Sequence, residues 1–207
     1  MTGGARRQTW RRTSRELHRS LSADGRRWVR EVWGAAEELA RQPGLLSPPT
    51  TALAARIAER ETAAPGREGD DARDAFTGVA RIGYAARAVV AAPTEQPSPP
   101  PESFAPGPPF ELARLSRDPA AAGALVDRLE WIAVHDFASA MTLPQEIWRA
   151  FVATATRSLQ RSQASEALSW REFGRERIER LLRHGYLLRC LDEAFAGDGA
   201  ESGASTT

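Results

Sequence analysis

The sequence predicts an all-α protein with six or seven helices, arranged in two helical halves that a proline-rich linker joins. Apolar residues recur at helical spacing over most of the chain. No segment combines alternating polar and apolar residues with the β-branched side chains that are typical of strands. Eight of the fourteen prolines lie in residues 93–109, where neither a helix nor a central strand can form.

The proline-rich segment sets the expected organisation of the chain. The expected parts are an arginine-rich N-terminal arm or helix (1–21), an N-terminal helical half (22–92), the linker (93–109), a C-terminal helical half (110–196) and a disordered tail (197–207). The tail is expected to be disordered because it is small and polar. At 207 residues, the two halves can form one large domain or two small ones.

Three helices are expected in the N-terminal half. The first ends near Gly44, and its apolar face consists of Trp28, Val32, Ala36 and Leu39. The second has Thr50 or Thr51 as its N-cap, with prolines where a first turn tolerates them. The third runs from about residue 71 to residue 92. Its face carries small residues, Gly83 among them, that would let a neighbouring helix approach closely.

The C-terminal half is expected to begin with a helix that Asp118 caps and Pro119 starts. Its wide apolar arc consists of Leu125, Val126, Leu129, Ile132 and Phe137. Trp131 and Val134 lie outside this arc, so the helix is apolar on many sides. We therefore expect it to be central and buried, and to end near Met141.

The clearest amphipathic helix follows. Its stripe consists of Ile147, Phe151, Val152, Ala155 and Leu159, with Gln145, Arg149 and Arg157 outside it. Trp148 is expected to be able to face solvent.

A capping box of Ser169 and Glu172 predicts the start of the last helix. Gly185 is expected to supply a left-handed C-terminal position, with His184 as a cation in the last turn.

Composition excludes several chemistries. All 28 basic residues are arginine, so there is no lysine for a P-loop, a Schiff base or a kinase-type ATP site. Cys190 is the only cysteine, which excludes an intramolecular disulfide, and it is expected to be a small buried hydrophobe. The three histidines lack the spacing of metal ligands, and His135 is expected to be partly buried and hydrogen-bonded. We therefore predict no catalytic, cofactor-binding or metal-binding residues and no cofactor.

The first 30 residues hold nine arginines against two acidic residues, whereas the rest of the chain is acidic. The candidate interaction residues in this segment are Arg6, Arg7, Trp10, Arg11, Arg12 and Arg15. Such arginines can contact nucleic-acid phosphates while a tryptophan stacks on a base. The favoured interpretation is instead that Trp10 and Leu17 dock on the body of the protein, with the arginines in solvent.

The function that this sequence favours is a non-enzymatic helical protein–protein interaction module with an unidentified protein partner. The first alternative is a nucleic-acid-binding protein that uses the arginine-rich segment, and the second is an enzyme with an unrecognised site. The N-terminus lacks the apolar region of a secretory signal, and the longest apolar stretch is too short to cross a bilayer. We therefore expect a cytoplasmic protein without a membrane span.

Overall fold

The structure, a computed structural model, describes residues 21–62, 70–91, 118–141, 143–161 and 175–201. These residues form six helices: α1 (Ala23–Ala40), α2 (Pro48–Thr62), α3 (Asp70–Ala91), α4 (residues 119–140), α5 (Gln145–Arg161) and α6 (Arg175–Glu201). Helix α4 starts as Pro119–Trp131, passes through a π-helical turn at Ile132–Asp136 and ends as Phe137–Ala140. The prediction of an all-α fold with six or seven helices is confirmed for the described residues. None of the helices in these ranges is long and apolar enough to cross a membrane.

Helix α4 starts where the sequence predicts. The Asp118 carboxylate accepts hydrogen bonds from the backbone N–H groups of Ala120 and Ala121 at 3.0 and 3.1 Å. Pro119 occupies the first turn, where its missing N–H leaves no helical bond unmade. Local chemistry alone therefore fixes this helix start.

Helix α2 starts earlier than predicted. Pro48 is its first residue. The carbonyl oxygen of the preceding residue, Ser47, accepts a hydrogen bond from the Thr51 N–H at 2.8 Å. The Ser47 hydroxyl accepts the Thr50 N–H at 3.4 Å. The prediction of Thr50 or Thr51 as the N-cap is wrong, because both prolines fit inside the first turn.

Helices α3 and α6 form the centre of the fold and pack together more extensively than any other pair of described helices. Residues 82–87 of α3 and residues 184–188 of α6 are buried without interruption. Because α3 precedes the linker and α6 follows it, this contact joins the two halves of the chain. One main apolar cluster draws residues from all six helices.

Two glycines make the α3–α6 contact. A Cβ atom at Gly83 would overlap the Leu182 carbonyl, and one at Gly185 would overlap the Ala80 carbonyl. The backbones therefore touch directly at this crossing, as the small residues of α3 suggested. The prediction that Gly185 ends a helix is wrong, because α6 continues through it without a break.

Helix α6 also extends past the predicted start of the tail. Residues 197–201, expected to be disordered, are helical. A helix already held by packing extends at little cost per residue. Residues 202–207, the linker at 93–109 and the predicted capping box of Ser169 and Glu172 lie outside the described residues.

Helix α5 packs its predicted stripe into the core, with Phe151 buried. The rings of Trp33 and Phe151 lie 5.8 Å apart between centroids. The expectation that Trp148 can face solvent is wrong, because it is only 1% exposed and stacks on Phe151 at 5.7 Å.

Helix α4 lies at the periphery, which corrects the expectation of a central, buried helix. Its predicted apolar arc is buried, but Trp131 and Val134 on its other side are 47% and 51% exposed. Large apolar side chains outside the arc therefore do not indicate a second packed face here.

Candidate functional site

The candidate interaction residues named from the sequence lie outside the described residues: Arg6, Arg7, Trp10, Arg11, Arg12 and Arg15. Their role stays a prediction.

A buried hydrogen-bond network joins α3 to α6. Arg87, only 3% exposed, donates to the Glu193 carboxylate at 2.9 and 3.0 Å and to the Tyr186 hydroxyl at 3.3 Å. The Tyr84 hydroxyl donates to Asp192 at 2.7 Å. Burial, reinforced by this hydrogen bond, raises the pKa of Tyr84 to about 12. Because these charges and hydroxyls are mutually satisfied, we interpret the network as a structural tie between the two central helices.

Cys190 is buried beside this network, as the sequence predicted for a small hydrophobe. Burial raises the pKa of its thiol to about 12. The thiol is therefore neutral at physiological pH, and a neutral thiol is a poor nucleophile.

A second polar cluster joins α2 to α6. The Glu61 carboxylate accepts two hydrogen bonds from Arg180, at 2.7 and 2.8 Å, and forms an ion pair with Arg177 at 2.9 Å. His184 lies beside this cluster and is only 2% exposed. Burial lowers the pKa of His184 to about 4. The prediction of a last-turn cation is wrong, because His184 lies in the buried middle of α6 and is neutral.

The π turn of α4 is the most irregular stretch of helix in the structure as described. A π turn displaces its carbonyl groups from the regular hydrogen-bond ladder, and such turns are frequent at functional sites. Arg183 of α6 donates to the Ala133 carbonyl in this turn at 2.7 Å. The same guanidinium donates to Glu179 at 2.6 Å. The Arg183 side chain therefore ties the π turn to α6.

Trp131, the residue before this turn, and Val134 within it are the two exposed large hydrophobic residues of the described ranges. The Arg128 guanidinium lies 4.9 Å from the centroid of the Trp131 ring, and the His135 ring lies 5.6 Å from it. The expectation of a partly buried His135 is wrong. His135 is exposed and contacts Trp131, its neighbour one helical turn earlier. We call Trp131, Val134 and His135 the π-turn surface.

A cavity of about 200 Å³ opens beside this surface, and we call it the π-turn cavity. It lies between the π turn, the start of α5 and the first turns of α6. Its apolar lining consists of Val134, Phe137, Ala138, Met141 and Trp148, and its polar lining consists of His135, Gln145, Arg149, Glu179 and Arg183. Val134 and His135 belong to both features, so the exposed surface and the cavity are continuous.

A larger cavity, of about 280 Å³, lies between α2 and α4 and includes Arg60 and Glu59 in its lining. Arg60 forms an ion pair with Asp127 at 2.5 Å, and Glu59 forms one with Arg73 at 3.9 Å. Its charged side chains therefore have partners within the protein, which makes it the weaker candidate.

Within the described ranges, no group of three or more histidine, cysteine, aspartate or glutamate residues is arranged to hold a metal ion. Comparison of the chain with protein-family models, with curated proteins and with solved structures finds no match. The π-turn surface and the π-turn cavity are therefore the candidate site within the described residues.

Proposed function

We propose that this protein is a non-enzymatic helical interaction module of the cytoplasm that binds a protein partner through the π-turn surface. The observation that carries the proposal is the exposure of Trp131 and Val134 beside a cavity. Each Å² of apolar surface removed from water contributes roughly 25 cal/mol, so a partner that covers these side chains gains affinity.

The chemistry around Trp131 is typical of an interaction hot spot. Tryptophan and arginine are the residue types most enriched among side chains that dominate binding energy. Arg128 is held against the Trp131 ring, which limits the freedom that both side chains lose on binding. The exposed Trp131 ring thus has a charged neighbour, Arg128, that can fix the orientation of a partner.

The proposal predicts site-specific cross-linking. When Val134 is replaced by a photo-reactive amino acid in the native cell, we expect this protein to become cross-linked to one partner protein. The matched control is position 35 in α1, where Ala35 is also exposed. The measurement is the yield of the cross-linked product, with the partner identified by mass spectrometry. It is made with and without the additional substitution Trp131→Ala.

We expect the product at position 134 to disappear with Trp131→Ala and to be absent at position 35. Products of equal yield at both positions would contradict the proposal, because they would indicate random collision. Cross-linking of position 134 to nucleic acid in place of a protein would contradict it as well.

A further inference from the structure

Helix α4 carries a row of exposed residues along the side that faces away from the core. Residues three or four apart lie next to each other on a helix surface. A π turn takes about one residue more than an α turn, so steps of four stay in line through the π turn of α4. The row consists of Ala120, Ala124, Asp127, Trp131, His135 and Ser139, all of them exposed. We call it the α4 row.

The α4 row is complementary to its own reverse. Trp131 lies near its centre, with Asp127 one turn before it and His135 one turn after it. The small residues Ala124 and Ser139 lie one turn further out on the two sides. If a second copy of α4 ran antiparallel to the first, Asp127 of each copy would therefore meet His135 of the other. A twofold-symmetric interface requires this kind of match, because the same surface contributes both sides of it.

The side chains at these positions can make the contacts that the match requires. Arg60 contacts one oxygen of the Asp127 carboxylate at 2.5 Å, but the Asp127 side chain remains 69% exposed and can accept a further hydrogen bond. The His135 ring is exposed, and an imidazole always carries at least one N–H donor. Trp131, 47% exposed, would meet its own copy near the symmetry axis, where two aromatic rings can stack and exclude water.

We propose that the partner at the π-turn surface is a second copy of this chain, bound antiparallel along the α4 row to form a symmetric dimer. The inference rests on the proposed function, since it names the partner that the π-turn surface binds. Val134 flanks the α4 row and lies at the edge of the same interface. One helix from each copy makes a contact at the small end of the range for interfaces, so we expect a reversible dimer with a micromolar dissociation constant.

The test is sedimentation velocity of the purified full-length chain across the micromolar concentration range. We expect dimerisation of the wild type. Asp127→Arg removes the acceptor for His135, and His135→Glu places two carboxylates opposite each other, so each change should weaken the dimer at least about tenfold. The double variant exchanges the two charges and should restore dimerisation to within about threefold of the wild type. Glu146→Arg is the control, because it makes the same change of charge at an exposed residue of α5.

The inference is overturned if the wild type stays monomeric, if the double variant dimerises no better than the single variants, or if Glu146→Arg weakens the dimer as much as Asp127→Arg does. A monomeric purified chain that becomes cross-linked at position 134 to a different protein would contradict the second copy and support the proposed function. Dimerisation of the purified chain with no product from position 134 in the cell would contradict the proposed function instead.

Discussion

Replacing Gly185 by alanine is expected to destabilise the protein by about 3 kcal/mol, at the upper end of overpacking costs. The added Cβ would overlap the Ala80 carbonyl, and a backbone atom of α3 cannot rotate away as a side chain can. Gly83→Ala should act in the same direction, because its Cβ would overlap the Leu182 carbonyl. The measurement is the free energy of unfolding from chemical denaturation.

Gly78→Ala is the matched control on α3. No atom lies within 4 Å of a Cβ built at Gly78, so this substitution adds helix propensity without a clash. It should stabilise the protein by up to about 1 kcal/mol. The glycine crossing would be contradicted if Gly83→Ala and Gly78→Ala changed the free energy of unfolding in the same direction.

Stability is expected to fall as the pH drops from about 6.5 towards 4, partly through His184. Burial lowers the pKa of this residue from 6.5 to about 4 in the folded state. The unfolded chain therefore binds a proton in this range that the folded chain does not, and acidification favours unfolding. The contribution is fully present above pH 6.5 and amounts to about 3 kcal/mol, from 1.36 kcal/mol per pKa unit.

Comparison with His184→Leu isolates this contribution from that of the carboxylates. The variant should lose less stability than the wild type between pH 6.5 and 4, measured by denaturation at several pH values. Equal pH dependence in the wild type and in His184→Leu would show that His184 is not buried as a neutral group.

Features governed by local chemistry could be predicted from the sequence. The Asp118 cap depends on one side chain and the proline after it, so no tertiary information was needed. The apolar stripe of α5 likewise follows from helical periodicity, and Phe151 is buried as that stripe requires. The close approach at Gly83 was indicated by small residues on one face of α3.

Features governed by tertiary contact were predicted wrongly. A glycine inside a helical pattern can end the helix or admit a neighbouring backbone, and only the position of α3 decides this for Gly185. His184, the residue before this glycine, is buried in the middle of α6, although a position at the end of a helix would have left it in solvent. Helix α4 was expected to be central because it is apolar on many sides. Its composition does not show that α3 and α6 occupy the centre of the fold.

The site was recognised only in part. Trp131 and Val134 were identified as lying outside the apolar arc, which was a usable signal of exposure. Nothing in the sequence indicated the π turn. Trp148 and Arg149 lie on α5 and Arg183 lies on α6, so only the packing of these helices shows that they line one cavity. The arginine-rich segment drew attention because charge is visible in a sequence, whereas a concave surface is not.

The affinity of the cross-linked partner for the Trp131→Ala variant tests most directly the claim that the π-turn surface is the binding surface. In isothermal titration calorimetry with the purified partner, we expect binding at least about tenfold weaker than for the wild type. The melting temperature should fall by only a few degrees, because Trp131 is 47% exposed. Arg27→Ala, exposed on α1, should bind like the wild type. Binding of Trp131→Ala that equals wild-type affinity would contradict the claim.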